Sequence, residues 1–475
     1  MTALTQRQGA ATRRTRSAAP PSKMAMRAKR AAVRRTRKAA ARAQIPVAFW
    51  VIVGTVATLT LLGLIMVLSV TTVKSTYEHD TAGYFFTRQM VFVALGTFLL
   101  LAAYKFGHRR IAMFAPTIMV SSIVALVAVL FIAEKVNGSK RWFSIGFFNV
   151  QPSEVAKLAV ILWVARLLAS RSREMHDWRR TIVPVAAGLG LNVLLIVVEP
   201  DLGTAVVLIF VVLVMLVVAG ARIDILALGS IPVALVLTYL ALSGYHADRW
   251  GFLNPLENMD TSNYQLAGSL SSVASGGLFG VGPGASTAKW GFLPEAHTDA
   301  IFAVITEEMG VIGALLVIAL YVVLLGAGMR VARDAADVFG RLLAIGITTL
   351  ISVQAFVNIG VSLGVLPNKG FTLPFVSYGG SSLLVTMFAV GLLLSVAREG
   401  SASRAAARRR LQRERTRRTE TGTKLRLVGS TVVRQAATRK PATRKPAARQ
   451  QPATRTSTTR RQPAPPARKR TAARR

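Results

Sequence analysis

The sequence has 475 residues, of which 52% are hydrophobic, and its mean hydropathy is +0.45. A positive mean hydropathy over this length excludes an ordinary soluble protein and indicates an integral membrane protein. The chain contains no cysteine, which excludes a disulfide framework and a thiol nucleophile. Its formal net charge of +38 is not spread evenly.

Most of the excess positive charge lies in two tails. Residues 1–46 hold 13 Lys and Arg and no acid, and residues 401–475 hold 24 against two acids, so residues 47–400 are nearly neutral. Both tails lack large apolar residues, so we expect them to be disordered. We expect cytoplasmic tails held near anionic membrane lipid. Nucleic-acid binding by the tails is less favoured, because no aromatic side chains that could stack on nucleobases lie between the Lys and Arg residues.

The segment 47–400 is predicted to form one domain of ten transmembrane helices, each near the roughly 20 apolar residues that span a bilayer. The predicted spans are Val47–Val70, Gln89–Tyr104, Ile111–Ala133, Ser153–Ala169, Thr181–Val198, Gly203–Ala219, Ile223–Leu242, Ile301–Gly328, Leu342–Leu363 and Leu373–Val396. The fold class is therefore an all-α polytopic membrane protein.

The distribution of Lys and Arg predicts the orientation of these spans. With the N-terminus in the cytoplasm, the short cytoplasmic loops are rich in bases. The longest loop, 244–300 between the seventh and eighth spans, lies outside the membrane on the extracytoplasmic side. Its only basic residues are Arg249 and Lys289. An even number of spans returns the C-terminus to the cytoplasm.

The outer loop between the third and fourth spans departs from this charge rule. It carries Lys135, Lys140 and Arg141, which we interpret as an anion site rather than as unrelated surface charges. The fourth span then begins with Glu154 and, three residues later on the same helical face, Lys157. A lysine inside a span is costly and needs a partner, which Glu154 supplies. A purely structural ion pair and a ligand-binding role are equally compatible with this spacing.

Three further polar clusters map to the same side. The two acids of Glu199-Pro200-Asp201 either bind a cation or cap the sixth helix, and capping is the favoured role of Asp201. The large loop ends in Leu293-Pro294-Glu295-Ala296-His297-Thr298-Asp299, after a glycine run that is weak evidence for a nucleotide. The fourth cluster comprises 367–370 and 374–382, in which Ser377 is better explained by helix packing than by chemistry. Together they predict an outward polar cavity, suited to an enzyme acting on a lipid-linked anion or to a transporter.

The ordered set of these motifs resembles the SEDS family, the FtsW/RodA/SpoVE group of cell-wall proteins. The matching stretches are Gly138-Ser139-Lys140-Arg141-Trp142, Gln151-Pro152-Ser153-Glu154 with Lys157, Glu199-Pro200-Asp201-Leu202-Gly203-Thr204, Tyr264-Gln265, Ser275-Gly276-Gly277, Leu293–Asp299 and Leu373–Ser382. No single motif is decisive, but their order over roughly residues 47–397 is very specific. The tails lie outside the resemblance.

The resemblance implies a ten-helix peptidoglycan glycosyltransferase that polymerises lipid II, releases undecaprenyl pyrophosphate and works with a class B penicillin-binding protein. Gly282-Pro283-Gly284-Ala285-Ser286 and Leu366-Pro367-Asn368-Lys369-Gly370 look more like the division members than the elongation members. A septal plasma-membrane location and contacts of the tails with other division proteins are then expected. The composition suggests a high-GC actinobacterium. The sequence departs from the family pattern at Gly268, Ala300 and Thr306.

The resemblance also suggests roles for individual residues. Asp299 resembles the essential loop carboxylate and is the expected general base, while Lys140, Arg141 and Lys157 would hold pyrophosphate. No tightly bound cofactor is expected, although Mg²⁺ or Mn²⁺ at Asp201 or Glu154 is an option. The remaining predicted substrate-binding residues are Gln265, Glu295, His297, Lys369 and Ser377. Alternative functions are a lipid II flippase, an elongation-type polymerase and a non-catalytic recruiter of a transpeptidase.

Overall fold

The computed structural model describes residues 45–437 apart from 82, 135–139, 147, 176, 243–260 and 368–369. Lys369, Lys135 and the two tails up to residue 44 and from residue 438 therefore lie outside the described residues. The described residues up to Arg410 belong to one compact unit, and this unit contains the described helices and loops that bear on the site.

The described chain is mostly helical. Its helices are α1 Val47–His79, α2 Tyr84–Phe106, α3 His108–Ile132, α4 Pro152–Ser170, α5 Trp178–Val198, α6 Leu202–Ala219, α7 Ile223–Leu242, α8 Thr261–Ser275, α9 Ile301–Arg333, α10 Val338–Ser362 and α11 Gly380–Ala437. The first nine predicted spans each coincide with one of these helices. The tenth is only partly helical, because α11 begins at Gly380 and not at the predicted Leu373. The helix α8 is an additional helix within the predicted outer loop.

Among the described residues, eight helices are long and apolar enough to cross a membrane, namely α1, α2, α3, α5, α6, α9, α10 and the first part of α11. The helix α4 carries Glu154, Lys157 and Arg166, and the apolar run Ile223–Val236 of α7 is shorter. A polytopic helical membrane fold is thus confirmed, whereas ten crossings and cytoplasmic termini remain predictions.

Local sequence explains several helix boundaries. Gly107 separates α2 from α3 at φ 84°, and Gly220 ends α6 at φ 88°, a left-handed region that glycine enters without steric cost. The side chain of Asp177 accepts from the backbone at the start of α5, and Asp337 does the same for α10. Pro152 occupies the first turn of α4, as the sequence predicts, because its missing N–H is not needed there.

A short β-hairpin corrects the all-α prediction. Strands β1 Phe143–Ile145 and β2 Phe148–Val150 pair antiparallel between α3 and α4, with Phe143 opposite Val150. Gly146 adopts φ 60° in the turn, which an L-residue with a side chain rarely does. The hairpin gives the loop after α3 a fixed backbone.

The helix α9 is interrupted at Gly310, which has φ 68° and ψ −170°. This conformation is essentially restricted to glycine. The glycine-rich segment after α8 fills the break: the Val281 and Gly282 N–H groups donate to the Glu307 and Glu308 carbonyls, and Val311 N–H donates to the Gly277 carbonyl. The outer loop is thereby fastened to the interior of a spanning helix.

Candidate functional site

Two segments that are far apart in sequence, 297–299 and 373–378, contact each other beside Asp299. The Ser377 hydroxyl donates to the Thr298 carbonyl at 2.6 Å and accepts from the Leu373 N–H at 2.7 Å. The Tyr378 N–H donates to the His297 carbonyl at 2.9 Å. Ser377 therefore fixes the loop that carries Asp299, a structural role that acts through loop contacts before α11 and not through the predicted packing of spanning helices. Its substrate-binding role stays a prediction.

Asp299 itself is half-buried and held by its backbone. Its N–H donates to the Glu295 carbonyl at 3.1 Å, and its own carbonyl accepts from Asn358 Nδ2 at 2.8 Å. A Cβ atom added at Gly370 would lie 2.9 Å from Asp299 Oδ2. The carboxyl group thus lies against the segment that precedes α11. Asn358 of α10, which sequence reasoning did not identify, holds the backbone carbonyl of Asp299.

The predicted pairing of Lys157 with Glu154 is confirmed. Lys157 Nζ lies 2.8 Å from Glu154 Oε1, and the lysine side chain is 1% exposed. The ion pair offsets part of the cost of placing a charge inside a spanning helix. A ligand-binding role of Lys157 stays a prediction.

The first turn of α4 is joined to the first turn of α11 through Ser381. Its hydroxyl donates to the Asn149 carbonyl of β2 at 2.6 Å and accepts from the Gln151 N–H at 3.1 Å. Because Ser377 lies only four residues earlier, the segment 373–382 connects the Glu154–Lys157 pair with the Asp299 loop. Gln89 of α2 also reaches this segment, donating to the Ser377 carbonyl at 3.4 Å.

Arg141 connects the hairpin to the turn between α5 and α6. Its Nε donates to the Glu199 carbonyl at 2.8 Å and its Nη2 to the Pro200 carbonyl at 2.6 Å. Two of the guanidinium donors are therefore committed to backbone. The expected contact of Arg141 with an anion would use the guanidinium N–H groups that are not bonded to these carbonyls. The neighbouring residue Lys140 is half-buried.

The acid that is most deeply buried in this turn is Glu199 rather than Asp201. Glu199 is 0% exposed, and neither carboxyl oxygen has a hydrogen-bond partner among the described residues. Burial raises the pKa of Glu199 to about 8, helped by the negative charge of Asp201 and opposed by Arg141. The carboxyl group is therefore largely protonated at neutral pH. No spacing in the sequence distinguishes the burial of Glu199 from that of Asp201, so the predicted site residues include Asp201 and not Glu199.

Asp201 caps α6, accepting from the Thr204 N–H at 3.1 Å, which confirms the capping interpretation. Among the described residues, no group of three or more His, Asp or Glu could hold a metal ion, and Glu154 is already paired with Lys157. These side chains do not form a protein cage for Mg²⁺ or Mn²⁺ by themselves, so we derive no chemical step through a metal.

His297 is buried between two aromatic rings. Its ring centroid lies 5.6 Å from those of both Phe85 and Tyr378. Burial, followed by the positive charge of Lys74, lowers the pKa of His297 to about 4, with Glu295 and Glu78 acting in the opposite direction. The imidazole is neutral at pH 7, so any contact with pyrophosphate would be a hydrogen bond and not an ion pair.

A cavity of about 440 Å³ opens beside His297, between the end of α1 and the outer loop. Lys74, Lys289, Trp290 and Glu295 line it, and Glu295 Oε2 accepts from the Thr298 hydroxyl at 3.0 Å. The cavity has the size of a small-molecule site. Gln265, on α8, is half-buried and does not line this cavity.

Comparison with known proteins decides the family. The chain matches the family model FTSW_RODA_SPOVE, described as cell cycle protein, over residues 49–402. The chain belongs to the FtsW/RodA/SpoVE family. The match covers the membrane helices and every polar cluster described above.

Curated relatives support the FtsW/RodA/SpoVE assignment. The chain is 39% identical over 341 residues to stage V sporulation protein E of Bacillus subtilis, covering 71% of this chain and 93% of the relative. It is 37% identical over 343 residues to a probable peptidoglycan glycosyltransferase FtsW of Geobacter metallireducens, covering 71% and 91%.

Solved structures of the same family share the fold. A chain of a peptidoglycan synthase complex, described as coordinating polymerization and crosslinking, matches with a TM-score of 0.63 at 30% identity, covering 74% of this chain and 98% of that one. The rod shape determining protein RodA of Thermus thermophilus matches with a TM-score of 0.56 at 30% identity, covering 74% and 96%.

Proposed function

We propose that this chain is a peptidoglycan glycosyltransferase that polymerises lipid II into glycan strands for septal cell-wall synthesis. The observation that carries the proposal is the position of Asp299, a carboxylate held by its backbone between α10, the segment before α11 and the end of the outer loop. The names of the curated FtsW relatives support the activity.

The reaction makes one bond and breaks one. The 4-hydroxyl oxygen of an incoming lipid-linked disaccharide attacks the anomeric carbon of the growing strand, and the bond from that carbon to the pyrophosphate oxygen breaks. Asp299 accepts the hydroxyl proton as general base. Undecaprenyl pyrophosphate leaves with the bonding electrons, and its developing charge requires nearby cations.

Arg141, Lys140 and Lys157 are the proposed cationic contacts for the leaving pyrophosphate. Arg141 is already oriented by two backbone carbonyls, so it reaches an anion with little loss of side-chain freedom. Lys369 and Gln265 are proposed to bind the sugar or peptide part of lipid II. His297, being neutral, contributes hydrogen bonds only.

The proposed partner is a class B penicillin-binding protein that cross-links the new strand. The similarity to a chain of a peptidoglycan synthase complex supports such an assembly. The division role, rather than elongation, is supported by the FtsW names among the curated relatives, which are 36–40% identical.

The proposal is tested by substituting Asp299. Purified Asp299→Asn, assayed with lipid II and with or without the partner, should make no glycan strands on a gel while its thermal unfolding midpoint stays near that of the parent protein. Asp80→Asn is the matched control, because Asp80 is an exposed acid at the end of α1 in a left-handed conformation that asparagine also tolerates.

Two outcomes separate the alternatives. Strand synthesis at the parent rate by Asp299→Asn would remove the general base from the proposal. An inactive parent protein that still binds the transpeptidase and recruits it would support a scaffold instead of an enzyme.

A further inference from the structure

A second cavity lies at the opposite end of α2 from Asp299. Gln89, near the start of α2, reaches Ser377 of the site, whereas Lys105 and Phe106 at its end line the second cavity. At 1.5 Å per residue, the separation along the helix is about 24 Å. Under the predicted orientation, this cavity faces the cytoplasmic leaflet. It takes no part in the proposed reaction.

The cavity has a volume of about 470 Å³ and is dominated by positive charge. Its lining includes Lys105, Arg109, Arg110 and Arg398, against the single acid Glu399. Arg109 bridges Asp337 at 2.9 Å and Glu399 at 2.8 Å. No ion pair with an acid is found for Lys105 or Arg110 within the described part of the chain. Arg398 likewise forms no ion pair with an acid among the described residues, so three cations of the lining remain for a ligand.

The backbone adds to the attraction for anions. Gly107, at the N-cap of α3, lines the cavity and supplies no side-chain cap, and the Ser395 hydroxyl accepts only from the His108 N–H of the first turn. The positive end of the α3 dipole thus points toward the cavity, as in many phosphate sites. Arg398 is held in place by stacking on the Tyr104 ring at 4.4 Å, which leaves its charge at the rim.

The surroundings of the cavity indicate a lipid rather than a free anion. Phe106 is 63% exposed at its edge, and Met113 and Phe114 on α3 are similarly exposed. These apolar side chains continue from the cavity onto a surface that faces hydrocarbon in a spanning helix. A ligand with a phosphate headgroup and acyl chains would place the phosphate in the basic cavity and the chains against the apolar surface.

We propose that the cavity formed by Lys105, Gly107, Arg110 and Arg398 binds the phosphate headgroup of an anionic phospholipid. Basic pockets between transmembrane helices are suited to such headgroups. The acyl chains lie along Phe106 and α3. The bound lipid joins the end of α2 to the end of the spanning part of α11, two helices whose other ends meet at the site.

Phosphatidylglycerol binding to the purified full-length protein in detergent tests this proposal. Lys105→Gln combined with Arg110→Gln should weaken binding about 30-fold, since each basic residue near an anionic lipid contributes about 1 kcal/mol. Arg330→Gln with Arg333→Gln is the matched control, because both residues are exposed on α9, outside the cavity, and the charge loss is the same. Arg110→Gln alone should weaken binding about fivefold and serves if the double variant fails to fold.

The tails bind anionic lipid in every variant, so only the difference between the two double variants reports on the cavity. Phosphatidylcholine should compete poorly, and so should inorganic phosphate. Equal weakening in both double variants would overturn the proposal by showing that net charge alone governs binding. Equally effective competition by inorganic phosphate would identify a free-anion site and exclude the lipid.

Discussion

Two of the outer polar clusters contain a buried acid, Glu154 in one and Glu199 in the other. Lys157 is compensated by Glu154 at 2.8 Å, while Glu199 is kept protonated because it is buried without a hydrogen-bond partner among the described residues. An uncompensated charge in such an environment is costly. The two acids of this region have thus been neutralised in different ways, one by a cation and one by a proton.

Glu199 should make the stability of the protein depend on pH. Its pKa is raised from 4.5 to about 8 in the folded protein, so the folded state binds this proton more tightly than the unfolded chain. Its contribution to stability is fully present below about pH 4.5 and is lost as the pH rises through about 8.

Glu199→Gln imitates the protonated form and should abolish this contribution to the pH dependence. Thermal unfolding midpoints of the purified protein, measured from about pH 5 to about pH 9, check the expectation. The midpoint of the parent should fall across this range more steeply than that of the variant, with Asp80→Asn as control. Parallel curves for parent and Glu199→Gln would contradict it.

Replacing Lys157 by Met should leave Glu154 as an unpaired buried charge. Breaking a buried pair in this way costs about 3–5 kcal/mol, and the unfolding midpoint should fall accordingly. Adding Glu154→Gln should restore stability, since both charges are then gone. If Lys157 contacts pyrophosphate, the stable double variant makes no glycan and binds lipid II weakly. A fully active double variant would leave Lys157 with a structural role only.

At the scale of elements, the break in α9 fixes the outer loop to the helical domain. The segment 277–282 donates and accepts backbone hydrogen bonds across Gly310. Further along the same loop, Ser286 and Thr287 donate to the carboxylate of Glu307, at 2.6 Å and 2.7 Å. The described part of the loop that carries Asp299 is therefore anchored twice, by α9 at residues 277–287 and by the segment 373–378 at residues 297–298.

Gly310→Ala should destabilise this anchor. The glycine conformation costs about 1–3 kcal/mol for any other residue, and an added Cβ would lie 2.3 Å from the Leu278 carbonyl oxygen. Gly326→Ala in the same helix is the control, since its Cβ would meet no atom within 4 Å. Unfolding midpoints and strand synthesis should both fall for Gly310→Ala. An unchanged midpoint would show that the loop accommodates the methyl group.

At the scale of the whole molecule, the chemistry and the excess charge are separated along the chain. Every proposed site residue lies between Lys140 and Ser377, whereas the tails carry 37 of the 59 basic residues. The family match likewise ends at residue 402. The tails are thus outside the part of the chain that resembles other family members.

Deleting residues 1–40 and 410–475 should leave strand synthesis by the purified protein nearly unchanged. In cells, the same deletion should alter recruitment to the septum, because the tails are the proposed contacts with anionic lipid and with other division proteins. The comparison requires gel assays of the purified core together with fluorescence imaging of tagged cells. A folded core that cannot polymerise lipid II would contradict this separation.

The sequence by itself determined those features that depend on neighbouring residues. The length and apolarity of the spans identified a membrane protein. The spacing of Glu154 and Lys157 placed both side chains on one helical face. The sequence Asp201-Leu202-Gly203-Thr204 carried its own helix cap. Helix periodicity and capping depend on residues three or four positions apart, so they can be predicted from the sequence without knowledge of the fold.

Only the tertiary structure decided which of these polar groups meet. Ser377 contacts Thr298, which lies 79 residues away, and Arg141 is 58 residues from Glu199. The choice between Glu199 and Asp201 as the buried acid depends on which side chain the packing of α5 and α6 encloses. The break at Gly310 depends on a loop that inserts there. Such contacts follow from the packing of distant helices, which no local pattern of residue types encodes.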